Sequence, residues 1–206
     1  MSPIYFGTEN MTKDSVYTKK IFYEFLSLPR TIGCVTPCSK GLAKKIVKPI
    51  SFSTASVIVE YGPGTGVFTQ KILDSKKKDT LFFALELNQQ MFNLMKHRFP
   101  DVDIHNSSAS EVDTHLKNVG VKHVDAIISG LPWAGFSEKM QDDILEKTLL
   151  VLREKGVFVT FAYLHGLVLP GGIKFKKKIK KLFSQVTISP VIWENIPPAI
   201  VYTCTK

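Results

Sequence analysis

The sequence predicts an α/β domain built around a seven-stranded, mostly parallel sheet, and three observations lead to that prediction. Short apolar runs alternate with helical stretches from residue 57 onward, a glycine-rich loop separates the first run from the first helix, and the last two runs have no long helix between them. The last pair is therefore expected to form an antiparallel hairpin. The expected strands cover residues 56–61, 80–86, 102–106, 124–129, 156–163, 185–193 and 199–204. The expected helices between them cover residues 66–75, 88–98, 110–118 and 137–154.

The length and composition allow one sizeable core. The chain has 206 residues, of which 44% are hydrophobic, as in ordinary folded soluble proteins. Its three cysteines, Cys34, Cys38 and Cys204, are too few for a disulfide framework and suit a reducing cytoplasm. No His or Cys pair completes a metal site with Cys34 and Cys38, so no metal is expected. The first residues lack the basic and apolar regions of a signal peptide.

One stretch carries no charge and raises the question of a membrane span. Residues 156–173 contain no Asp, Glu, Lys or Arg and are just long enough to suggest a crossing of the bilayer. His165 and Gly166 lie in the middle, and a Pro-Gly-Gly sequence breaks the end. We therefore expect a buried strand followed by a loop.

The positive charge is concentrated in two segments. The chain carries a net charge of +9. Residues 1–48 hold 8 basic and 3 acidic side chains, and residues 174–181 hold six lysines and no acid. The rest of the chain is slightly acidic. This distribution predicts an anionic partner, either a membrane or a nucleic acid.

Each basic segment contains an amphipathic helical pattern, over residues 15–28 and over residues 174–183. The apolar residues of the second are Phe175, Ile179, Leu182 and Phe183. Two interpretations stay open for both helices: the apolar face packs on the protein's own core, or it binds the interface of an anionic membrane. Residues 1–48 are expected to form an N-terminal amphipathic helical extension, and residues 49–206 the α/β domain.

The strongest local signal is a Gly-x-Gly-x-Gly loop formed by Gly62, Gly64 and Gly66. Glycines there allow a tight turn and a close approach of the backbone to a ligand. Glu60 precedes the loop, where a carboxylate can meet a cationic amino group. Glu86 ends the second strand, where it can accept hydrogen bonds from both hydroxyls of a ribose. S-adenosylmethionine (SAM) has a ribose and an ammonium but no phosphate, whereas NAD has the wrong charge beside Glu60. In the alternative interpretation both acids only cap helices.

This loop and the second-strand acid resemble those of the class I SAM-dependent methyltransferases. The resemblance implies a Rossmann-like fold with SAM across the carboxyl edge of a seven-stranded sheet. The glycines then correspond to the SAM loop and Glu86 to the ribose-binding acid, with Leu87 beside it. The family's Gly-Asp-Ala after the third strand, which holds the adenine, is replaced here by Ser-Ser-Ala. Ser108 therefore stands in place of the Asp, and Ala109 supplies the following backbone N–H. Ser129 is also assigned to the cofactor site.

The sequence Ser-Gly-Leu-Pro-Trp, which ends at Trp133, occupies the fourth motif of that superfamily. Methylases of nucleic-acid bases, such as the rRNA adenine dimethyltransferases, carry Asn or Asp, then Pro-Pro or Leu-Pro, then an aromatic residue. Their polar side chain accepts a hydrogen bond from the target amino group, which Gly130 cannot do. We assign Gly130, Leu131, Pro132 and Trp133 to the catalytic site. Trp133 either supplies a π face to the substrate or is a core residue.

Much of the chain is similar to a narrower family, the soluble bacterial phosphatidylethanolamine N-methyltransferases. The matching segments are residues 25–46, 60–69, 85–100, 129–133 and 193–202. That family has Gly-Leu-Pro where the base methylases have Asn-Leu-Pro, and its N-terminal amphipathic helix binds anionic membranes. The rRNA enzymes also carry a C-terminal helical domain, for which no room is expected after Lys206.

The sequence therefore predicts a SAM-dependent N-methyltransferase of phosphatidylethanolamine and its partly methylated forms. The candidates for taking up the proton of the amine are Tyr5, Tyr17, Tyr163 and His165. Of these, Tyr163 is placed in the catalytic site. A cytoplasmic monomer is expected, docked through residues 15–28 and 174–183 on the inner face of the cell membrane, with no nucleic acid as partner. The alternatives are methylation of RNA or of a small-molecule amine, and a SAM-fold binding module without activity.

Overall fold

The structure, a computed structural model, describes residues 38–206. Its strands are β1 (Val57–Tyr61), β2 (Leu81–Leu85), β3 (Asp103–His105), β4 (Val124–Ser129), β5 (Leu152–Tyr163), β6 (Gln185–Ile188) and β7 (Ala199–Thr205). They form one sheet in the order β3-β2-β1-β4-β5-β7-β6. Strand β7 is antiparallel to both of its neighbours, and the other pairs are parallel. The predicted sheet and its closing antiparallel hairpin are confirmed.

Six α-helices flank the sheet in the described part of the chain. They are α1 (Lys40–Val47), α2 (Val67–Ser75), α3 (Gln89–Arg98), α4 (Val112–Asn118), α5 (Glu138–Val151) and α6 (Pro170–Leu182). Short 3-10 helices cover Ala109–Glu111, Trp133–Gly135 and Leu164–Val168. Polar caps fix the helix starts, because their side chains satisfy the free amides of the first turn. Asn88 accepts from the amides of Gln90 and Met91 at 2.9 and 3.0 Å, and Ser137 accepts from Met140 at 3.3 Å.

The central strands set the position of the candidate site. All five residues of β1 are buried, as expected for a parallel strand covered on both faces. Tyr61, the last residue of β1, lies opposite Leu85 of β2 and Ser129 of β4. The carboxyl ends of these three strands therefore meet at one edge of the sheet, and the loops that carry the predicted site leave from that edge.

The described residues lie within one compact unit, residues 36–206, which begins before the predicted boundary at residue 48. Helix α1 belongs to this unit. Its side chains Leu42 and Ile46 are completely buried in the core, and the hydroxyl of Ser39 caps it by accepting from the amide of Leu42 at 3.1 Å. The predicted boundary at residue 48 thus lies after a helix that packs in the core, although its lysines resemble those of the basic extension.

Strand β5 begins earlier than predicted, because α5 ends at Val151 and the chain turns directly into the sheet. Leu152 pairs with Val124, and the register then shifts before Val157 pairs with Ala126. Lys155 has φ +60° within this irregularity, and Arg153 forms an ion pair with Asp125 of β4. Residues 152–154 were predicted to be helical because nothing in the local sequence pattern marks the bulge.

Strand β6 is shorter than the predicted strand 185–193 and ends at Ile188. Pro190 follows, and proline has no N–H with which to continue a strand pairing. Ser189 still forms two hydrogen bonds with β7. Its amide donates to Val201 O at 2.9 Å, and its hydroxyl accepts from Val201 N at 3.0 Å. The residues beyond Pro190 therefore form a loop that leads back to β7.

The uncharged stretch 156–173 forms the end of β5, a 3-10 helix and the first residues of α6. In the described range 38–206, no helix combines the length and the apolar character needed to cross a membrane. Of the apolar residues of 174–183, Phe175, Ile179 and Phe183 are at most 5% exposed, whereas Leu182 is 41% exposed. The apolar face of α6 thus packs on the protein's own core, the first of the two interpretations. The helical segment predicted over residues 15–28 lies outside the described residues.

Candidate active site

The glycine loop follows β1 and leads into α2. All three glycines have positive φ, at +62° for Gly62, +55° for Gly64 and +81° for Gly66. Gly66 also permits close packing, because a Cβ there would lie 2.3 Å from Cε2 of Phe99 and 2.8 Å from Sδ of Met95. A Cβ at Gly64 would meet no atom within 4 Å. The middle of the loop therefore faces open space where a ligand can approach the backbone.

Glu86 holds this loop to the end of β2. Its Oε2 accepts from the amide of Gly64 at 3.1 Å, and its Oε1 accepts from the amide of Asn88 at 2.9 Å. The side chain is nearly buried, and this burial raises its pKa, while the backbone hydrogen bonds lower it. Each carboxylate oxygen keeps a lone pair for a further donor. The carboxylate can therefore accept from two hydroxyls of a ligand that lies against the loop.

Glu60 is fully enclosed beneath the loop. Its Oε2 accepts from the hydroxyl of Thr69 at 2.6 Å, and its Oε1 has no hydrogen-bond partner. Burial raises its pKa to about 8, the Thr69 hydroxyl opposes that rise, and the charge of Glu86 adds to it. Burial therefore favours the protonated form of Glu60 in this arrangement. The expected contact with an ammonium group stays a prediction, and it requires the loop to move and expose Oε1.

The segment after β3 closes one side of this region. The side-chain amide of Asn106 donates to the carbonyl oxygens of Glu86 and Leu87, at 2.9 and 3.2 Å. The hydroxyl of Ser108 caps the 3-10 helix that begins at Ala109, accepting from the amide of Ser110 at 3.2 Å. Ser108 thus uses its hydroxyl within its own turn. Asn106 was missed by the sequence analysis, although a polar residue directly after β3 was the signal for it.

The Gly130-Leu131 pair packs directly onto the glycine loop. The amide of Gly130 donates to Tyr61 O at 2.8 Å. A Cβ at Gly130 would lie only 2.4 Å from the carbonyl oxygen of Gly62, and a Cβ at Gly62 would lie 2.8 Å from Cδ2 of Leu131. Glycine at position 130 is therefore required by the close approach of two backbones at the ends of β1 and β4. From the sequence, the only role predicted for Gly130 was in substrate recognition.

Trp133 lies in the core. Its side chain is 3% exposed, and its ring stacks on Phe175 of α6 with centroids 4.5 Å apart. The indole N–H donates to the hydroxyls of Thr160 and Ser129, at 3.1 and 3.2 Å. Both the ring and its N–H are engaged inside the protein, which favours the interpretation of Trp133 as a core residue. Its assignment to the catalytic site stays a prediction.

Ser129 shares this position beneath the site surface. It is completely buried, and its hydroxyl accepts from the amide of Leu131 as well as from the indole of Trp133. The hydroxyl is thus used by partners within the protein, and the assignment of Ser129 to the cofactor site stays a prediction. Pro132, between Leu131 and Trp133, remains partly exposed at the edge.

Tyr163 and His165 lie at the carboxyl end of β5. Tyr163 is half-buried and His165 is exposed, and their rings are parallel within 4° with centroids 5.6 Å apart. Strand β5 lies beside β4, so this pair lies along the same edge as Gly130. The other two proton-acceptor candidates, Tyr5 and Tyr17, lie outside the described residues. Between residues 38 and 206, no group of three or more His, Cys, Asp or Glu side chains could hold a metal ion.

Solved structures share this architecture across almost the whole chain. An O-methyltransferase from Bacillus cereus, solved with SAH, superposes with a TM-score of 0.65 at 13% identity and covers 93% of this chain and 91% of its own. The O-methyltransferase TomG from Streptomyces achromogenes, solved with SAM, has a TM-score of 0.64 at 16% identity and covers 96% and 92%. The chain has the class I SAM-dependent methyltransferase fold. The predicted fold class is confirmed.

Curated sequences that resemble this chain include a lipid methyltransferase and several ribosomal RNA methyltransferases. An ornithine lipid N-methyltransferase from Singulisphaera acidiphila is 26% identical over 186 residues, which cover 88% of this chain and 92% of that protein. The ribosomal RNA small subunit methyltransferase A of a Hydrogenobaculum species is 29% identical over 96 residues, 46% of this chain and 35% of that protein. No family model matches the chain. The similarity to the lipid enzyme thus extends over nearly the full length of both proteins, whereas that to the RNA enzyme covers a part of each.

Proposed function

We propose that this methyltransferase-fold protein transfers methyl groups from SAM to the amine of a membrane lipid headgroup. The observation that carries the proposal is the packing of Gly130 against Gly62. At this position the base methylases would carry an Asn or Asp that accepts from a planar amino group. With the two backbones this close, such a side chain has no room. The acceptor is therefore recognised without that hydrogen bond, which suits a flexible alkyl amine better than a nucleobase.

The residues around the glycine loop fit SAM. Gly64 offers open space and a backbone approach, and Glu86 has free lone pairs for the two ribose hydroxyls. Glu60 would meet the ammonium group only if the loop exposed its unbonded Oε1. SAM, when bound, supplies a methyl group on a positively charged sulfur. The loop after β1 and Glu86 at the end of β2 would hold the adenosine of the cofactor. The ends of β4 and β5 adjoin this region and would receive the acceptor.

The acceptor amine must reach the methyl group in its neutral form, because only then does nitrogen have a lone pair. Tyr163 and His165 are the proton-acceptor candidates among the described residues, and they lie at the carboxyl end of β5 on that side of the sheet edge. The exposed imidazole of His165 can take up the proton, and the stacked ring of Tyr163 holds the imidazole parallel to it. Alignment of the amine with the methyl group contributes much of the rate, since well-oriented reactants gain roughly 7–11 kcal/mol.

Phosphatidylethanolamine and ornithine lipid are the two lipids to compare first as methyl acceptors. The sequence analysis led to phosphatidylethanolamine, and the relative from Singulisphaera acidiphila is named for ornithine lipid. Both present an amine at a membrane surface, and the proposal covers that shared chemistry. RNA is the second acceptor class to include, because the partial relatives are ribosomal RNA methyltransferases.

The test is transfer of label from methyl-labelled SAM to separate samples of each lipid in vesicles, to total RNA, and to a free alkyl amine. We expect label in lipid alone, with Glu86→Ala as the inactive reference and Glu154→Ala, at an exposed position near the start of β5, as the matched control. Labelled RNA with unlabelled lipid would overturn the proposal. Labelling of the free amine at the rate found for lipid would replace the lipid with a small-molecule acceptor.

A further inference from the structure

Five large apolar side chains are exposed close to the proposed site. Val168 ends the 3-10 helix after β5, Leu169 follows it and Ile173 lies in the first turn of α6. Their exposed fractions are 75%, 41% and 43%. Trp193 and Ile196 lie in the loop before β7, with exposed fractions of 70% and 73%. We call these five residues the apolar rim. Single exposed apolar residues are ordinary on soluble proteins, but a group of this size on two adjoining segments indicates a binding surface.

Both segments of the apolar rim leave the sheet at the edge that carries the proposed site. Tyr163 ends β5 and lies opposite Ala199, which begins β7. Just beyond that pair, the amide of Leu164 donates to the carbonyl oxygen of Pro198 at 3.0 Å. The first turn of α6 also packs against the Trp133–Gly135 turn, since a Cβ at Gly171 would lie 2.3 Å from Ala134 O. The rim therefore adjoins the residues that follow Gly130.

The loop that carries Trp193 and Ile196 is anchored to the rest of the fold. Asn195, between Trp193 and Ile196, is 2% exposed. Its Oδ1 accepts from the amide of Ser39 at 2.8 Å, and its Nδ2 donates to Pro197 O at 2.7 Å. Because the side chain of Asn195 fixes the loop to the start of α1, its apolar neighbours on both sides are directed outward from a fixed backbone.

Helix α6 places positive charge beside the rim. Lys174 and Lys178 are paired with Glu138 and Asp142 of α5. The other lysines of the helix form no ion pair with a described carboxylate; they are Lys176, Lys177, Lys180 and Lys181. At 1.5 Å per residue, Lys177 lies about 6 Å and Lys181 about 12 Å along the helix axis from Ile173. A charged surface that contacts the rim would therefore lie within the electrostatic screening length, about 8–10 Å, of the nearer lysines.

We propose that the apolar rim inserts into the headgroup region of an anionic lipid bilayer while the lysines of α6 attract its phosphates. The apolar face of α6 takes no part, because Phe175 and Ile179 are buried in the core. Trp193 suits this position, since an indole has an apolar body and a polar N–H and is typical of membrane interfaces. This orientation turns the proposed site toward the bilayer. The inference rests on the proposed function in naming a lipid as the partner.

Intrinsic fluorescence can test the insertion directly, because the chain has two tryptophans and only Trp193 is exposed. The full chain, without SAM, is mixed with phosphatidylcholine vesicles with and without phosphatidylglycerol. We expect a blue shift and quenching by lipids brominated near the headgroup end of the acyl chain, in the anionic vesicles alone. Both effects should vanish in Trp193→Phe, in which only the buried Trp133 still emits.

Vesicle sedimentation with the double variant Val168→Asp/Ile196→Asp gives a second measurement. Both side chains are exposed in the native fold, so circular dichroism should be unchanged, whereas vesicle affinity should fall about tenfold or more. Leu150→Asp is the matched control, since Leu150 is 59% exposed near the far end of α5, and it should bind as the native chain does.

Four results would overturn the inference: native affinity in the double variant, bound protein whose Trp193 is not quenched, a Trp193 spectrum already blue-shifted without vesicles, and self-association that the two aspartates abolish. The third would mean that another segment of the chain covers the rim, and the fourth that a second copy does. The proposed function is tested separately. A protein that inserts Trp193 but methylates no lipid refutes that function alone, and one that methylates lipid in detergent micelles without insertion into vesicles refutes only the rim.

Discussion

The two halves of the site edge differ in what they bury and what they expose. Around the ends of β1 and β2, the carboxylates of Glu60 and Glu86 are enclosed and hydrogen-bonded to loop amides and a hydroxyl. Beyond β5 and before β7, the apolar rim is exposed beside lysines that form no ion pair with a carboxylate of residues 38–206. The first half has the features of a site for a small polar ligand, and the second those of a surface for a large amphipathic one. A cofactor and a lipid would thus approach the reacting position from different directions.

The largest effect is expected from removing Glu86, the acceptor that organises the first half of the edge. Glu86→Ala deletes the partner of the Gly64 and Asn88 amides and the predicted acceptor of both ribose hydroxyls. Hydrogen bonds to a charged group are worth roughly 1.5–3 kcal/mol each, so SAM affinity should fall about a hundredfold or more by calorimetry. Vesicle binding through the apolar rim should not change. If SAM affinity and vesicle affinity fell by the same factor, the two halves would not be separate binding regions.

The pH dependence of stability gives the next effect. The pKa of Glu60 is raised from 4.5 to about 8 by burial, so the folded chain holds a proton that the unfolded chain releases between these values. The stability present below pH 4.5 should therefore be lost progressively as the pH rises toward 8, by on the order of a few kcal/mol. Glu86, whose pKa is also raised, acts in the same direction.

Glu60→Gln keeps an acceptor for the Thr69 hydroxyl and cannot ionise. Its free energy of unfolding, measured by urea titration from pH 5 to 9, should fall less with pH than that of the native chain. A native slope that the substitution leaves unchanged would show that Glu60 is already ionised in the folded protein. The first half of the edge would then hold a charged pair, not a protonated acid beside a carboxylate.

A smaller effect separates the two explanations of Gly130. If the glycine is needed because the Gly62 carbonyl oxygen lies so close, then Gly130→Ala and Gly130→Asn should both cost about 1–3 kcal/mol of stability and weaken SAM binding. If the glycine only leaves space for the acceptor, alanine should be tolerated while asparagine slows methyl transfer. Thermal unfolding and calorimetry of the two variants, measured side by side, decide between these outcomes.

Much of the first half could be predicted from sequence because its determinants are local. The glycines and Glu86 lie within 25 residues of one another, and the apolar strands before them fix which edge they share. The distance between Gly62 and Gly130 could not be predicted, because it depends on how β1 and β4 pair. The side chain of Trp133 was equally ambiguous in sequence, since its partner Phe175 lies on a helix 42 residues further along the chain.

The second half escaped prediction for a different physical reason. Phe175 and Ile179 form an amphipathic pattern that suits a membrane as well as a core, and only the packing of α6 decides between them. Trp193 was predicted as the end of a strand, but β6 ends at Ile188 and only an isolated bridge from Ile192 to Ala199 of β7 precedes Trp193. Exposure of an apolar residue is a property of the whole fold, and no short sequence pattern encodes it.

The most direct test of the account is the partition of methyl label in one mixture that contains phosphatidylethanolamine vesicles, with or without phosphatidylglycerol, and total RNA. The account predicts that label from SAM enters lipid and not RNA, and that the initial rate rises when phosphatidylglycerol is present. Label in RNA, or lipid labelling at the same rate with and without the anionic lipid, would contradict it.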